Sequence, residues 1–215
     1  MNTLITPWAD EATLDVAIVL GPGPDEPSES ATDAAEATDA ADAADAAAAR
    51  PRLTEPLRLE HHELLPHIDA LASTADIAGI ATEDELRDRV ADAYRFLTHH
   101  LVPHARAEDA VLYGAVELAM RAPGATDTMR RDHVEVLRYV DALGSVVADA
   151  GAYDDAVRAR VRAILYSLHA IVALHFAKEE ELYLEILDRA LDEKRAARLF
   201  SELEAAAAEA KSGLD

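Results

Sequence analysis

The chain of 215 residues contains no cysteine. Disulfides, thiolate metal sites, iron–sulfur clusters and cysteine nucleophiles are excluded together. Aromatic residues make up only 5%, and glycine and proline number 8 and 9. An all-β sandwich needs many turns and many aromatic or β-branched strand residues, so this shortage favours helices. Basic residues are scarce too: 20 Lys and Arg stand against 42 Asp and Glu, a formal charge of −22. Such a chain repels phosphate backbones and anionic headgroups, so neither nucleic acid nor a membrane is an expected partner. No uninterrupted apolar run approaches the roughly 20 residues that cross a bilayer. The opening MNTLITPWADEATLDVAIVLG carries acids where a secretory signal carries Lys or Arg, so the expected location is the cytoplasm.

What is present divides into unlike parts. The first fifty residues hold eleven acids and one base, Arg50. Twelve of the residues 31–50 are Ala, spaced by Asp, and Gly21-Pro22-Gly23-Pro24 interrupts the chain before them. With no apolar stripe to dock, 1–52 read as an acidic tail and linker, largely disordered, in which 13–20 form one short apolar piece.

From Leu53 onward, apolar or special residues recur at spacings of four and three, the mark of a packed helix face. One stripe runs Leu57, His61, Leu64, Ile68, Leu71, and a second Leu97, Leu101, His104, Glu108, Val111, Ala115, Leu118. A third runs Met129, His133, Val136, Val140, Leu143, Val147, and a fourth Leu168, Val172, His175, Glu179, Leu182, Ile186. Thr82-Glu83-Asp84-Glu85 and Ala125-Thr126-Asp127 read as helix starts, Ala122-Pro123-Gly124 and Gly151 as breaks. The expected architecture is all-α: an antiparallel up-down-up-down four-helix bundle over 53–191, with an extra C-terminal helix and tail over 192–215. Pro66 and Pro103 fall inside helices and should kink or bulge them.

Six core-facing positions are polar: His61, His104, Glu108, His133, His175 and Glu179. A stable bundle buries two carboxylates and four imidazoles only with mutual compensation. A polyvalent cation compensates all six, since imidazole and carboxylate are both metal ligands. Composition alone yields about one His-x-x-x-Glu by chance, so a single instance carries no weight. Two are present, in the similar words HARAEDAVLY and HFAKEEELY. Along the chain, His133 follows His61 at nearly the same interval as His175 follows His104, so two helix-pair units each supply a His and then His-x-x-x-Glu. His100, on the face of His104, is a further candidate ligand, with His67 and His169 behind it; His62 and His99 read as boundary residues. Glu180 could replace Glu179 in a locally overwound helix. The metalloprotease reading of His62-Glu63 fails because Pro66 stands where the second His is needed.

The run from Leu57 to about Leu191 resembles the hemerythrin-like, or HHE cation-binding, domains. Their signature is a His on helix one, His-x-x-x-Glu on helix two, a His on helix three and His-x-x-x-Glu on helix four. The Glu-x-x-His spacing of ferritin-like di-iron proteins is absent. The resemblance implies a non-haem di-iron centre: two iron ions, oxo- or hydroxo-bridged and spanned by the two glutamates. Such a centre binds dioxygen or reacts with hydrogen peroxide or nitric oxide. Oxygen carriers of this family have a second His on helix three where this chain has Leu137. The loss opens coordination positions and points from oxygen carriage towards catalase-like turnover. The competing readings are an iron- or oxygen-sensing interaction module without turnover, and an oxidase of an organic substrate, which requires a pocket reaching the irons.

Overall fold

The computed structural model describes residues 52–213, so nearly all of the acidic tail expected over 1–52 lies outside the described residues. Helix α1 spans Glu55–Ile77. Helix α2 is assembled from Glu83–Phe96, Val102–Ala107 and Tyr113–Met120, joined by π-helical turns at Leu97–Leu101 and Glu108–Leu112. Helix α3 spans Asp127–Val147. Helix α4 joins Asp155–Lys178 to Leu184–Ala190 through a π turn at Glu179–Tyr183, and α5 spans Glu193–Ser212. No strand occurs among the described residues.

The helix starts follow local chemistry. Thr82 Oγ1 accepts from the Glu85 N–H at 3.3 Å, Asp154 Oδ1 from Val157 at 2.9 Å, and Asp192 Oδ1 from Arg195 at 2.8 Å. Each pairing satisfies a backbone donor that the first turn leaves free. Helix α2 stops where Arg121 takes a left-handed conformation, φ 54°. Pro66 is carried within an unbroken α1, whereas Pro103 closely follows a π turn. The bulge expected from proline is therefore present at the second site and absent at the first.

The α1 stripe is buried as expected throughout, and that of α3 up to its last member, where Val146 replaces Val147. The α2 and α4 stripes hold only as far as Glu108 and Glu179. Beyond them the buried residues are Leu112, Tyr113 and Val116 on α2, and Tyr183, Leu184 and Leu187 on α4. Leu118 and Leu182, assigned to the core by spacing, are exposed. A π turn holds one residue more than an α turn, so every side chain after it moves by one position. The register error begins at the second π turn of α2, Glu108–Leu112, and at the Glu179–Tyr183 turn of α4; the first π turn of α2, at the head of its stripe, leaves Leu101 and His104 buried as expected.

Helix α4 packs along α1 and α3, the first segment of α2 packs on α1 and α3, and α5 lies against Val102–Ala107 and the π turn at Glu108. Two apolar clusters result. One holds Leu64, Ile68 and Leu71 with Val90, Leu97, Val140, Leu143, Leu165 and Leu168. The other holds Leu57, Leu112, Tyr113, Met129, Leu184 and Leu187 with Leu199 and Leu203 of α5. The six polar core residues fall between them in every helix. By length and composition alone, α4 is long and apolar enough to cross a membrane, although charged residues interrupt its apolar runs. Its apolar residues Val161, Leu165, Leu168 and Val172 form the core face of this bundle, and the same helix carries His175 and Glu179.

The two faces of α4 give a direct test. Leu168 is fully buried and Leu174 is 61% exposed. Leu168→Ala is expected to lower unfolding stability by about 2–5 kcal/mol, and Leu174→Ala by no more than about 0.5 kcal/mol, read from denaturant titrations.

Candidate metal centre

His61 on α1, His104 and Glu108 on α2, His133 on α3, and His175 and Glu179 on α4 are each at most 4% exposed, and the structure brings all six together. They converge through ring Nε2 atoms and carboxylate oxygens. On one side, Glu108 Oε1 lies 3.0 Å from His104 Nε2 and 3.6 Å from His61 Nε2, and Glu179 Oε2 lies 3.3 Å from His61 Nε2. On the other, Glu108 Oε2 lies 3.4 Å from His133 Nε2 and 3.9 Å from His175 Nε2, and Glu179 Oε1 lies 3.5 Å from His175 Nε2. Each glutamate thus turns one oxygen to each histidine pair.

These approaches are close but misaligned for hydrogen bonding. His61 Nε2, His104 Nε2, both oxygens of Glu108 and Glu179 Oε2 are buried with no hydrogen-bond partner. Orphaned buried carboxylates carry a heavy desolvation cost, and atoms aimed at a common point rather than at each other fit a cation placed there. A void of about 10 Å³ lies among His104, Glu108, His133 and His175. Two groups, His61/His104/Glu108/Glu179 and Glu108/His133/His175, keep their ligand atoms within 4.8 Å of one another and could each hold a metal ion. The donors are imidazole nitrogen and carboxylate oxygen, a set suited to first-row transition metals.

The opposite nitrogen of every ring faces another carboxylate. Nδ1 of His61 lies 3.2 Å from Glu180, that of His104 3.2 Å from Glu60, that of His133 3.0 Å from Asp109, and that of His175 3.3 Å from Asp132. Each acid reaches from a neighbouring helix, so the four contacts close a ring around the bundle. The contacts of Glu180 and Asp132 are hydrogen bonds, and a carboxylate so placed at Nδ1 fixes ring orientation and leaves Nε2 as the lone-pair donor. Lys178 in turn pairs with Asp132, and the Phe176 ring stacks on His61 with centroids 4.1 Å apart.

The π turns place the glutamates. Glu108 and Glu179 each begin one, and the N–H groups of Tyr113 and Leu184 bond back five residues to the Glu108 and Glu179 carbonyls. π turns recur at functional sites because they redirect side chains at the cost of regular hydrogen bonding. Within these turns Arg130 Nη1 donates to the Asp109 carbonyl at 2.6 Å and Arg58 Nη1 to the Glu180 carbonyl at 3.0 Å. Arg130 follows Arg58 along the chain at the same interval as His133 follows His61. Tyr113, fully buried, donates its hydroxyl to Glu179 Oε1 at 2.8 Å and lies 3.1 Å from His175 Nε2.

Sequence reasoning missed Tyr113, the two arginines and the four outer carboxylates. A signal existed for the carboxylates: Glu60, Asp109, Asp132 and Glu180 each adjoin a site residue in sequence. Glu180 does not replace Glu179 but supports His61. His100, His67 and His169, expected as candidate added ligands, do not join the cluster. His67 and His100 are exposed and stack on Phe96, and His169 pairs with Asp69 at 3.3 Å. His100 lies in the Leu97–Leu101 π turn, which breaks the i, i+4 relation to His104. The family model described as Hemerythrin HHE cation binding domain matches residues 52–187. No curated protein and no solved structure matches the chain.

In the protein alone, protons supply the compensation. Burial would lower His104, but Glu108 and Glu60 outweigh it and raise it to about 10. Burial opposes His175 likewise, and Asp132, Glu108 and Glu179 raise it to about 11. His61 and His133 are raised against the same opposition. Burial would raise Glu108, yet His104 and its neighbours hold it well below its usual range; Glu179 is lowered despite burial and the nearby Glu108. The raised histidines contribute stability that is complete below 6.5 and declines as pH climbs to about 10–11. The lowered glutamates contribute stability that is complete above 4.5 and lost on acidification. The chelator-treated chain is therefore expected to melt highest between pH 4.5 and 6.5, and progressively lower from there to pH 10, as followed by circular dichroism.

Proposed function

The chain belongs to the hemerythrin HHE cation-binding domain family, and from that premise we propose that its six buried polar residues hold two iron ions that bind or react with a small oxidant. His61 and His104 serve one ion, with Glu108 Oε1 and Glu179 Oε2. His133 and His175 serve the other, with Glu108 Oε2 and Glu179 Oε1. The observation that carries this reading is the division of each glutamate, one oxygen towards each histidine pair. A single ion would leave one oxygen of Glu108 buried without a partner, since neither of its oxygens has a hydrogen-bond donor.

Two adjacent irons supply two electrons to a bound oxidant, and hydrogen peroxide, dioxygen and nitric oxide are the ligands of matching size and chemistry. The protein does the rest. Glu60, Asp109, Asp132 and Glu180 hold the rings in register. Apolar clusters flank the site on both sides, and Phe176 covers His61. Leu137, where oxygen carriers of the family place a histidine, leaves the second ion with one protein nitrogen fewer, which favours catalase-like turnover over reversible carriage. The Tyr113 hydroxyl holds a proton at Glu179 Oε1, beside that same ion. The alternation of the two apolar clusters along successive helices supports an up-down-up-down arrangement of α1 to α4, and the location proposed for the chain is the cytoplasm.

Purified protein is expected to contain close to two irons per chain and to show an oxo-to-iron absorption band when oxidised. His175→Ala and Glu108→Ala should each remove at least one iron with helicity retained. Unchanged metal content in both variants, by elemental analysis, excludes these ligands. The outer carboxylates give a graded test: Asp132→Asn is expected to weaken metal affinity by about 10- to 100-fold, measured by competition with a chelator.

A further inference from the structure

A cavity of about 320 Å³ opens between α1, α2 and α5 and reaches the metal centre. His104 and Glu108 form its floor, Leu57 and Leu203 its apolar walls, and Glu60 and Glu204 its acidic margin. The space is about ten times the share of one water in liquid, far more than a two-atom oxidant requires. It falls within the range of sites that take small organic molecules. Helix α5 supplies one wall, and α5 lies beyond residues 52–187, the stretch that the family model matches. Its approach to α2 is lined by small side chains, Ala207 and Ala208, which keep the space open.

The two halves of the centre differ on this side. Tyr113 brings a hydroxyl to the His133/His175 pair. At the position that stands to Tyr113 as His175 stands to His104, the chain has Leu184. The His61/His104 half thus receives no such oxygen from the protein, and it is the half whose His104 and Glu108 the cavity meets.

We infer that this cavity is a binding site for a compact, neutral organic molecule whose single nitrogen or oxygen donor reaches the cation held by His61 and His104, and whose apolar body rests against Leu57 of α1 and against Phe200 and Leu203 of the α5 wall. The inference rests on the metal-centre reading above. The chemistry of the walls selects the class. Apolar side chains dominate, and Glu60 and Glu204 outnumber Lys211 among the charges, so an anionic body is disfavoured. A ligand seated there contacts α1, α2 and α5 together.

The test titrates iron-loaded full-length protein with imidazole and with 4-phenylimidazole, which share a donor and differ by an apolar ring, and reads binding from the visible spectrum. Burial of that ring predicts about tenfold tighter binding of the phenyl compound. Ala207→Trp, which fills the cavity, should bring the two compounds to within about twofold; Ala208→Leu is the milder variant should the first not fold, with iron content and helicity as the check. Equal binding of the two compounds to the iron-loaded wild-type chain, or a preference that survives filling of the cavity, overturns the cavity site and leaves the metal centre standing. A chain that takes up no iron overturns both.

Discussion

Everything in the bundle is arranged around one electrostatic requirement: Glu108 and Glu179 are buried in its interior and each must be compensated on both of its oxygens. The histidine pairs meet that requirement from opposite sides, and neither pair alone could. Protons on the rings meet it in one way, raising His104 and His175 far above the ordinary imidazole range. Two cations, as proposed, would meet it in another, with the rings neutral and their Nε2 lone pairs turned inward. Metal uptake is then an exchange of cations for protons at fixed geometry.

The fixed geometry has a cost that the backbone bears. The glutamates reach their positions because α2 and α4 each give up regular winding at that residue, and a π turn leaves carbonyls poorly served. Arg58 and Arg130 serve the carbonyls that follow each glutamate, reaching from α1 and α3. The outer carboxylates follow the same logic, each adjoining a site residue on its own helix and contacting a ring on the next. The internal repeat is thus more than a duplicated set of candidate ligands. It duplicates the supports as well, and the two units are interlocked so that each orients rings of the other.

This explains which features sequence reading could reach. Helix number, the start at Thr82 and the inward direction of the six polar residues follow from periodicity and capping, both local properties. The α1 stripe, which contains no π turn, was legible from Leu57 to Leu71, and the α3 stripe failed only at its last residue. The α2 and α4 stripes were legible only to Glu108 and Glu179, because a period of about 3.6 residues assumes regular winding. Leu118 and Leu182 were placed inside on that assumption, and Tyr113 was left out by it. The outer carboxylates stayed hidden for a different reason: an acid next to a ligand in sequence lies about 100° around the helix, where it reads as solvated unless the neighbouring helix is known.

The differences between the repeats carry more functional information than the repeats themselves. Two identical units would build a symmetric centre with equivalent ions. Here Tyr113 faces the His133/His175 half while its counterpart is Leu184, and α5 covers only the flank where His104 and Glu108 meet the cavity. A hydroxyl inside one half satisfies Glu179 Oε1 and crowds the space beside that histidine pair. The other half holds the orphaned His61 Nε2, His104 Nε2, Glu108 Oε1 and Glu179 Oε2, while Glu108 Oε2 and His133 Nδ1 are orphaned in the first. It is at the His61/His104 side that the cavity meets the centre. An added helix laid against that side, rather than elsewhere on the bundle, turns an exposed flank into a walled approach and lets side chains outside the family domain influence what arrives.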